Sequence, residues 1–80
     1  MIAELDRVIL TEDLVEYGLQ AGDIGTVVLV HRNNQGYEVE FVALDGETLA
    51  VTTVLSSQVR PAMRKEIPHA RMIETTQAVS

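Results

Sequence analysis

Eighty residues with twelve carboxylates, six Lys or Arg and a formal net charge of −6 make one small acidic domain, with room for a single core and little attraction for polyphosphate. There is no cysteine, which excludes disulfides and thiolate metal sites. The opening Met1-Ile2-Ala3-Glu4-Leu5-Asp6 lacks a basic head and a long apolar stretch, and no apolar run approaches the ~20 residues that span a bilayer, so a soluble, cytoplasmic protein is expected.

In chain order, residues 5–10 form a first strand, with Val8 and Leu10 inward. Thr11-Glu12-Asp13-Leu14 resembles a helix start, but Gly18 follows too soon for a stable helix. Residues 11–21 therefore make a long ordered loop pinned by Leu14, Tyr17 and Leu19. Gly22-Asp23 turns the chain, and the β-branched run after it dictates a second strand from Ile24 to about Arg32. Gly25 within that strand signals a bulge or a close approach by another segment.

Strand two is apolar on both sides. Val27 and Leu29 face one way, while Thr26, Val28 and Val30 face the other, and such a strand needs cover on both faces. Since the core of so small a body barely offsets the entropy of ordering it, cover supplied by another chain is expected.

Asn33-Asn34-Gln35-Gly36 is a hairpin turn. Residues 37–43 alternate as a third strand, with Tyr37, Val39, Phe41 and Ala43 inward and Glu38 and Glu40 outward. Asp45-Gly46 makes a second hairpin into a fourth strand over 47–54, with Leu49 and Val51 inward and Thr48, Ala50 and Thr52 opposite. Ser56-Ser57-Gln58 suits one 3₁₀ turn, and Val59-Arg60-Pro61 is a short extended piece. The expected core is Val8, Leu10, Val27, Leu29, Val39, Phe41, Leu49, Val51 and Val59.

Residues 62–80 form a C-terminal arm. Met63, Ile67, Met72 and Ile73 are too apolar for a plain solvated end, whereas 75–80 has a disordered composition. Ile67-Pro68 opposes helix at that point, and 69–76 can form at most a short uncapped one. Two destinations are open. The arm folds back on its own domain, or it docks on another chain through Ile67, His69, Arg71, Met72 and Ile73. Charge is also uneven. Residues 1–59 carry ten acidic side chains against Arg7 and Arg32, while 60–80 carry Glu66 and Glu74 against Arg60, Arg64, Lys65 and Arg71. An acidic body favours basic partners and repels nucleic acid.

Catalytic chemistry has no visible carrier. His31 and His69 are far apart and lack ligand spacing, Ser is confined to positions 56, 57 and 80, and no nucleophile has a base and an orienting group. No cofactor and no metal are expected. Glu38 and Glu40, with Glu47 across a hairpin, are either the wet face of a sheet or a contact for a basic partner.

The layout of strand, long loop, strand, hairpin, strand, hairpin, strand, 3₁₀ turn and short strand resembles an SH3-like barrel over about residues 5–61. The implied fold is all-β, a small five-stranded barrel with an extended C-terminal tail. The chain also resembles a family of small bacterial proteins of unknown function. The shared pieces are L-D-x-V-x-L-T-x-D-L (Leu5 to Leu14), G-L-x-x-G-D-x-G-T-V-V (Gly18 to Val28), Y-E-V-E-F (Tyr37 to Phe41), L-D-G-E-T (Leu44 to Thr48), Q-V-R-P (Gln58 to Pro61) and E-I-P-H (Glu66 to His69). No catalytic residues carry over from that likeness. It implies an accessory or antitoxin-like subunit encoded beside a larger partner.

Gly22-Asp23-Ile24-Gly25-Thr26-Val27 is similar to the G-D-x-G-x-V core of KOW-type domains, which implies RNA or ribosome association. Against it stand the scarcity of Lys and Arg and a total of two Tyr and one Phe for base stacking. The expected function is a non-catalytic module that self-associates or binds a partner protein, the alternative a KOW-like adaptor. The expected contact residues are Thr26, Val28, Val30, Glu38, Glu40, Ile67, His69, Arg71, Met72 and Ile73.

Overall fold

A computed structural model describes residues 1–73. The strands are β1 (Arg7–Leu10), β2 (Ile24–Val30), β3 (Gly36–Val42), β4 (Thr48–Leu55) and β5 (Val59–Pro61), joined in one antiparallel sheet of order β4-β3-β2-β1-β5. This is the all-β, five-stranded layout expected of an SH3-like barrel, with the sheet not closed: β4 and β5 are its two edges. A 3₁₀ turn at Ser56–Gln58 delivers the chain into β5, as the residue types predict.

The first strand is shorter than expected. Leu5 adopts φ 75° and ends a turn in which the Ala3 amide donates to Asp6 Oδ2 at 2.9 Å, so the ladder begins only at Arg7. The long loop is pinned by a bridge between Leu14 and Leu19 around a 3₁₀ turn at Val15–Tyr17, which Gly18 closes at φ 71°. Leu19 is buried there, whereas Tyr17 is exposed and takes part through its amide, which donates to Leu14 O at 3.0 Å.

Val8, Leu10, Leu19, Val27, Tyr37, Val39, Phe41, Val54 and Val59 form the core. Three expected members are absent, and two bulges explain why. Register slips by one residue between Val27 and Leu29, where β2 carries an extra residue against β3. The slip turns Leu29 outward, opposite Glu38, and Val30 inward, opposite buried Tyr37. A second slip lies where Val42 pairs with Thr48, and along the rest of β4 the inward residues are Ala50, Thr52 and Val54. Val51 is outward and 56% exposed, and Leu49 is only half-buried. A one-residue shift exchanges the faces of every following side chain.

Gly25 is explained by packing. A Cβ there would overlap Val39 and stand 2.9 Å from Phe41 Cε1, so the missing side chain is what lets β2 lie close over the aromatic ring.

The arm runs back along its own domain. The Ala62 amide donates to Arg7 O at 3.1 Å, Arg60 grips Glu66, and Ile73 packs against the core. Residues 62–73 contain neither strand nor helix. The expected disorder from about residue 75, and the end of the helix considered over 69–76, lie outside the described residues.

Candidate functional site

Pairing across the sheet lays the outward side chains in rows. One row runs Arg7, Thr26, Glu40, Val51, and the next runs Leu29, Glu38, Thr53. Leu55, opposite Gly36, continues the outward side of β4. Leu29, Val51 and Leu55 are 46%, 56% and 58% exposed. The face therefore alternates apolar side chains with carboxylates.

Those carboxylates are held. Glu38 accepts a hydrogen bond from the Thr53 hydroxyl and lies 2.8 Å from His31 Nε2. The Thr53 hydroxyl, and then His31, keep the Glu38 carboxyl below its ordinary value. Glu40 accepts from the Thr48 hydroxyl at 2.7 Å. Each donor stands on a neighbouring strand or at a strand end, so sheet pairing itself orients the acids.

Of the residues expected to make contacts, Thr26, Glu38 and Glu40 do share this face, and Val28 is the exposed bulge residue beside it. Val30 does not belong: the bulge turns it inward, and it packs against the core. Leu29, Val51 and Leu55 take its place. Alternation along one strand could not reveal them, because the bulges reset the phase.

The arm residues divide in two. Arg71 Nε donates to Asp23 Oδ1 at 2.9 Å, and Nη2 donates to Asp23 Oδ2 at 2.5 Å and to Gly18 O at 3.0 Å. The Asp23 carboxylate raises the Arg71 guanidinium above its ordinary value. Arg71 and Ile73 are thus engaged within their own chain. Ile67, His69 and Met72 are exposed. Earlier in the arm, Arg60 meets both oxygens of Glu66 at 3.0 and 2.7 Å, while the Met63 amide donates to Oε1 at 2.7 Å. These contacts, Arg60 first, hold the Glu66 carboxyl down at about 2.

The arm leaves two depressions. One, of about 330 Å³, lies between Ile9 and Ile24 of the sheet and Met63, Ile67 and Pro68. The other, about 800 Å³ and open, lies between the arm and the β3–β4 hairpin, with Phe41, Leu49 and Ile73 in its wall. Among the described residues no group of three His, Cys, Asp or Glu is arranged to hold a metal ion, and no helix is long and apolar enough to cross a membrane.

No curated protein and no solved structure matches the chain. A family model described as Domain of unknown function (DUF4926) matches residues 4–61, which takes in all five strands and stops where the arm begins. The chain belongs to the DUF4926 family.

Proposed function

We propose that this chain is a non-catalytic interaction module, an accessory or antitoxin-like subunit whose outward face receives a basic partner protein encoded nearby, with self-association as part of that role. The observation that carries it is the outward face itself, where Glu38 and Glu40 are fixed by hydroxyl donors among exposed Leu29, Val51 and Leu55. Prearranged acids lower the ordering cost of docking cationic side chains, and the apolar residues between them supply area to desolvate. The net charge of −6 steers a basic surface toward it.

RNA is a poorer occupant. Of the few cations available, Arg60 and Arg71 are already paired with Glu66 and Asp23, which leaves little to neutralise a phosphate backbone. The test is co-expression with the products of adjacent genes, followed by affinity capture. A retained basic protein is expected, and it should be lost in a Leu29→Ser, Glu40→Lys double variant that keeps its circular dichroism. Capture of RNA at low salt in place of protein overturns the proposal, as does retention indifferent to the double variant.

A further inference from the structure

The two edges of the sheet are built differently. β5 is three residues long and ends in Pro61, a residue without an amide donor, and such an edge resists further pairing. β4 is the longest strand, eight residues of sequence T-L-A-V-T-T-V-L, with no charge, no proline and no glycine. Among the described residues no strand pairs with its far side. Natural sheets blunt a long edge with lysine, proline or an inward charge, and an edge with none of these is a template for another strand.

We propose that the free edge of β4 pairs antiparallel with β4 of a second copy of this chain, joining two five-stranded sheets into one of ten strands. The inference deepens the self-association part of the interaction role above and rests on it. Charge distribution selects a second copy as the occupant. The chain holds twelve carboxylates, yet none lies in β4, so a basic strand would find no acid along this edge, while an identical neutral strand meets no like charge. Glu47 precedes β4 at the end away from Thr53, and Glu38 and Glu40 stand one strand inward on β3. Across the proposed junction the two β3 strands are three spacings apart, about 14 Å. That exceeds the ~8 Å screening length of physiological salt, so repulsion between these carboxylates across the junction is largely screened.

Register follows from the pleat. Residues directly opposite in an antiparallel pair share a face. The two-fold axis must therefore pass through a residue rather than between two, or an outward side chain would oppose an inward one. Centred on Thr53, the axis sets outward Val51 opposite Leu55 of the second copy and inward Thr52 opposite Val54. Both exposed apolar residues then gain an apolar neighbour, and the outward faces of the copies join into one surface.

Sedimentation equilibrium of the full chain, from micromolar to near-millimolar, tests this. A dimer is expected, and Val51→Lys and Leu55→Lys should each weaken self-association roughly a hundredfold while the far-ultraviolet spectrum is kept. Mixing Val51→Lys with Leu55→Glu chains should restore a dimer. Amide hydrogen exchange should slow within Val51–Leu55 of β4 on dimerisation. A monomer at every concentration overturns the pairing, and so does a dimer indifferent to both lysine variants or one whose β4 amides exchange as in those variants. A monomer that still captures the basic partner removes the strand pairing alone, whereas a dimer that captures none removes the partner role alone.

Discussion

Arg71 clasps Asp23 with two parallel N–H donors and with the same group reaches the Gly18 carbonyl. One guanidinium thereby ties the arm to the turn that opens β2. The pair keeps about a fifth to a third of its side-chain surface in water, 29% for Arg71 and 19% for Asp23, so solvent takes up much of its Coulomb energy. Arg71→Ala should cost about 1 kcal/mol in urea unfolding and should make residues 62–73 sensitive to limited proteolysis. Arg71→Lys should not restore protection, since an ammonium has no planar fork. Unchanged cleavage in both variants would show that the clasp does not hold the arm.

The Arg60–Glu66 pair sets a pH dependence. The Glu66 carboxyl lies at about 2, below an ordinary 4.5, chiefly because Arg60 bonds it. A depressed carboxylate contributes stability that is complete above the ordinary value and is lost as pH falls through the lowered one. The loop at 62–66 should therefore stay closed down to about pH 4.5 and open progressively toward pH 2. Following the Glu66 side-chain carbon by NMR should give a midpoint near 2, and Arg60→Gln should raise it toward 4.5.

On the outward face, Thr53→Val should raise the Glu38 titration toward its ordinary value, since the Thr53 hydroxyl is the first of the contacts that lower it. Carboxyl NMR measures this directly. A Glu38 midpoint unmoved by the substitution would remove Thr53 from the cluster.

Gly25→Ala should destabilise by about 1–3 kcal/mol, because the new methyl meets Val39 and Phe41 rather than open space. By contrast, alanine at Gly22 meets nothing within 4 Å, and its cost comes from φ 97° instead. Chemical denaturation of the two variants together with Gly25→Ala/Val39→Ala separates crowding from backbone strain, since only the first should be relieved by the smaller partner.

Strand order was legible because punctuation is local. Gly22-Asp23, Asn33-Asn34 and Asp45-Gly46 each turn the chain where expected, with Asn33, Asn34, Gly22 and Gly46 at positive φ. Facing was legible only where no bulge intervened: β3 alternates as written from Tyr37 to Phe41, while Leu29 and Val51 emerge on the far side after register slips. A slip depends on which partner residue sits across the ladder, and a single strand does not carry that. The Arg71–Asp23 clasp was illegible for a related reason, as 48 positions separate its members and no spacing rule joins them. The facing assignment has its own check. Val54→Ala should cost about 2 kcal/mol and Leu29→Ala under about 0.5 by urea titration, and the reverse order would restore the simple alternation.

The position of β1 between β2 and β5 has a consequence for biosynthesis. One edge of this early segment is satisfied by β2 and the other only by residues 59–61, so roughly fifty further positions must leave the ribosome before its ladder is complete. Val8 and Leu10 stay partly uncovered during that interval, and the closing step is a long-range encounter of the slow kind. Translation speed between the codons for β2 and those for β5 should therefore govern how much of the newborn polypeptide reaches its native state.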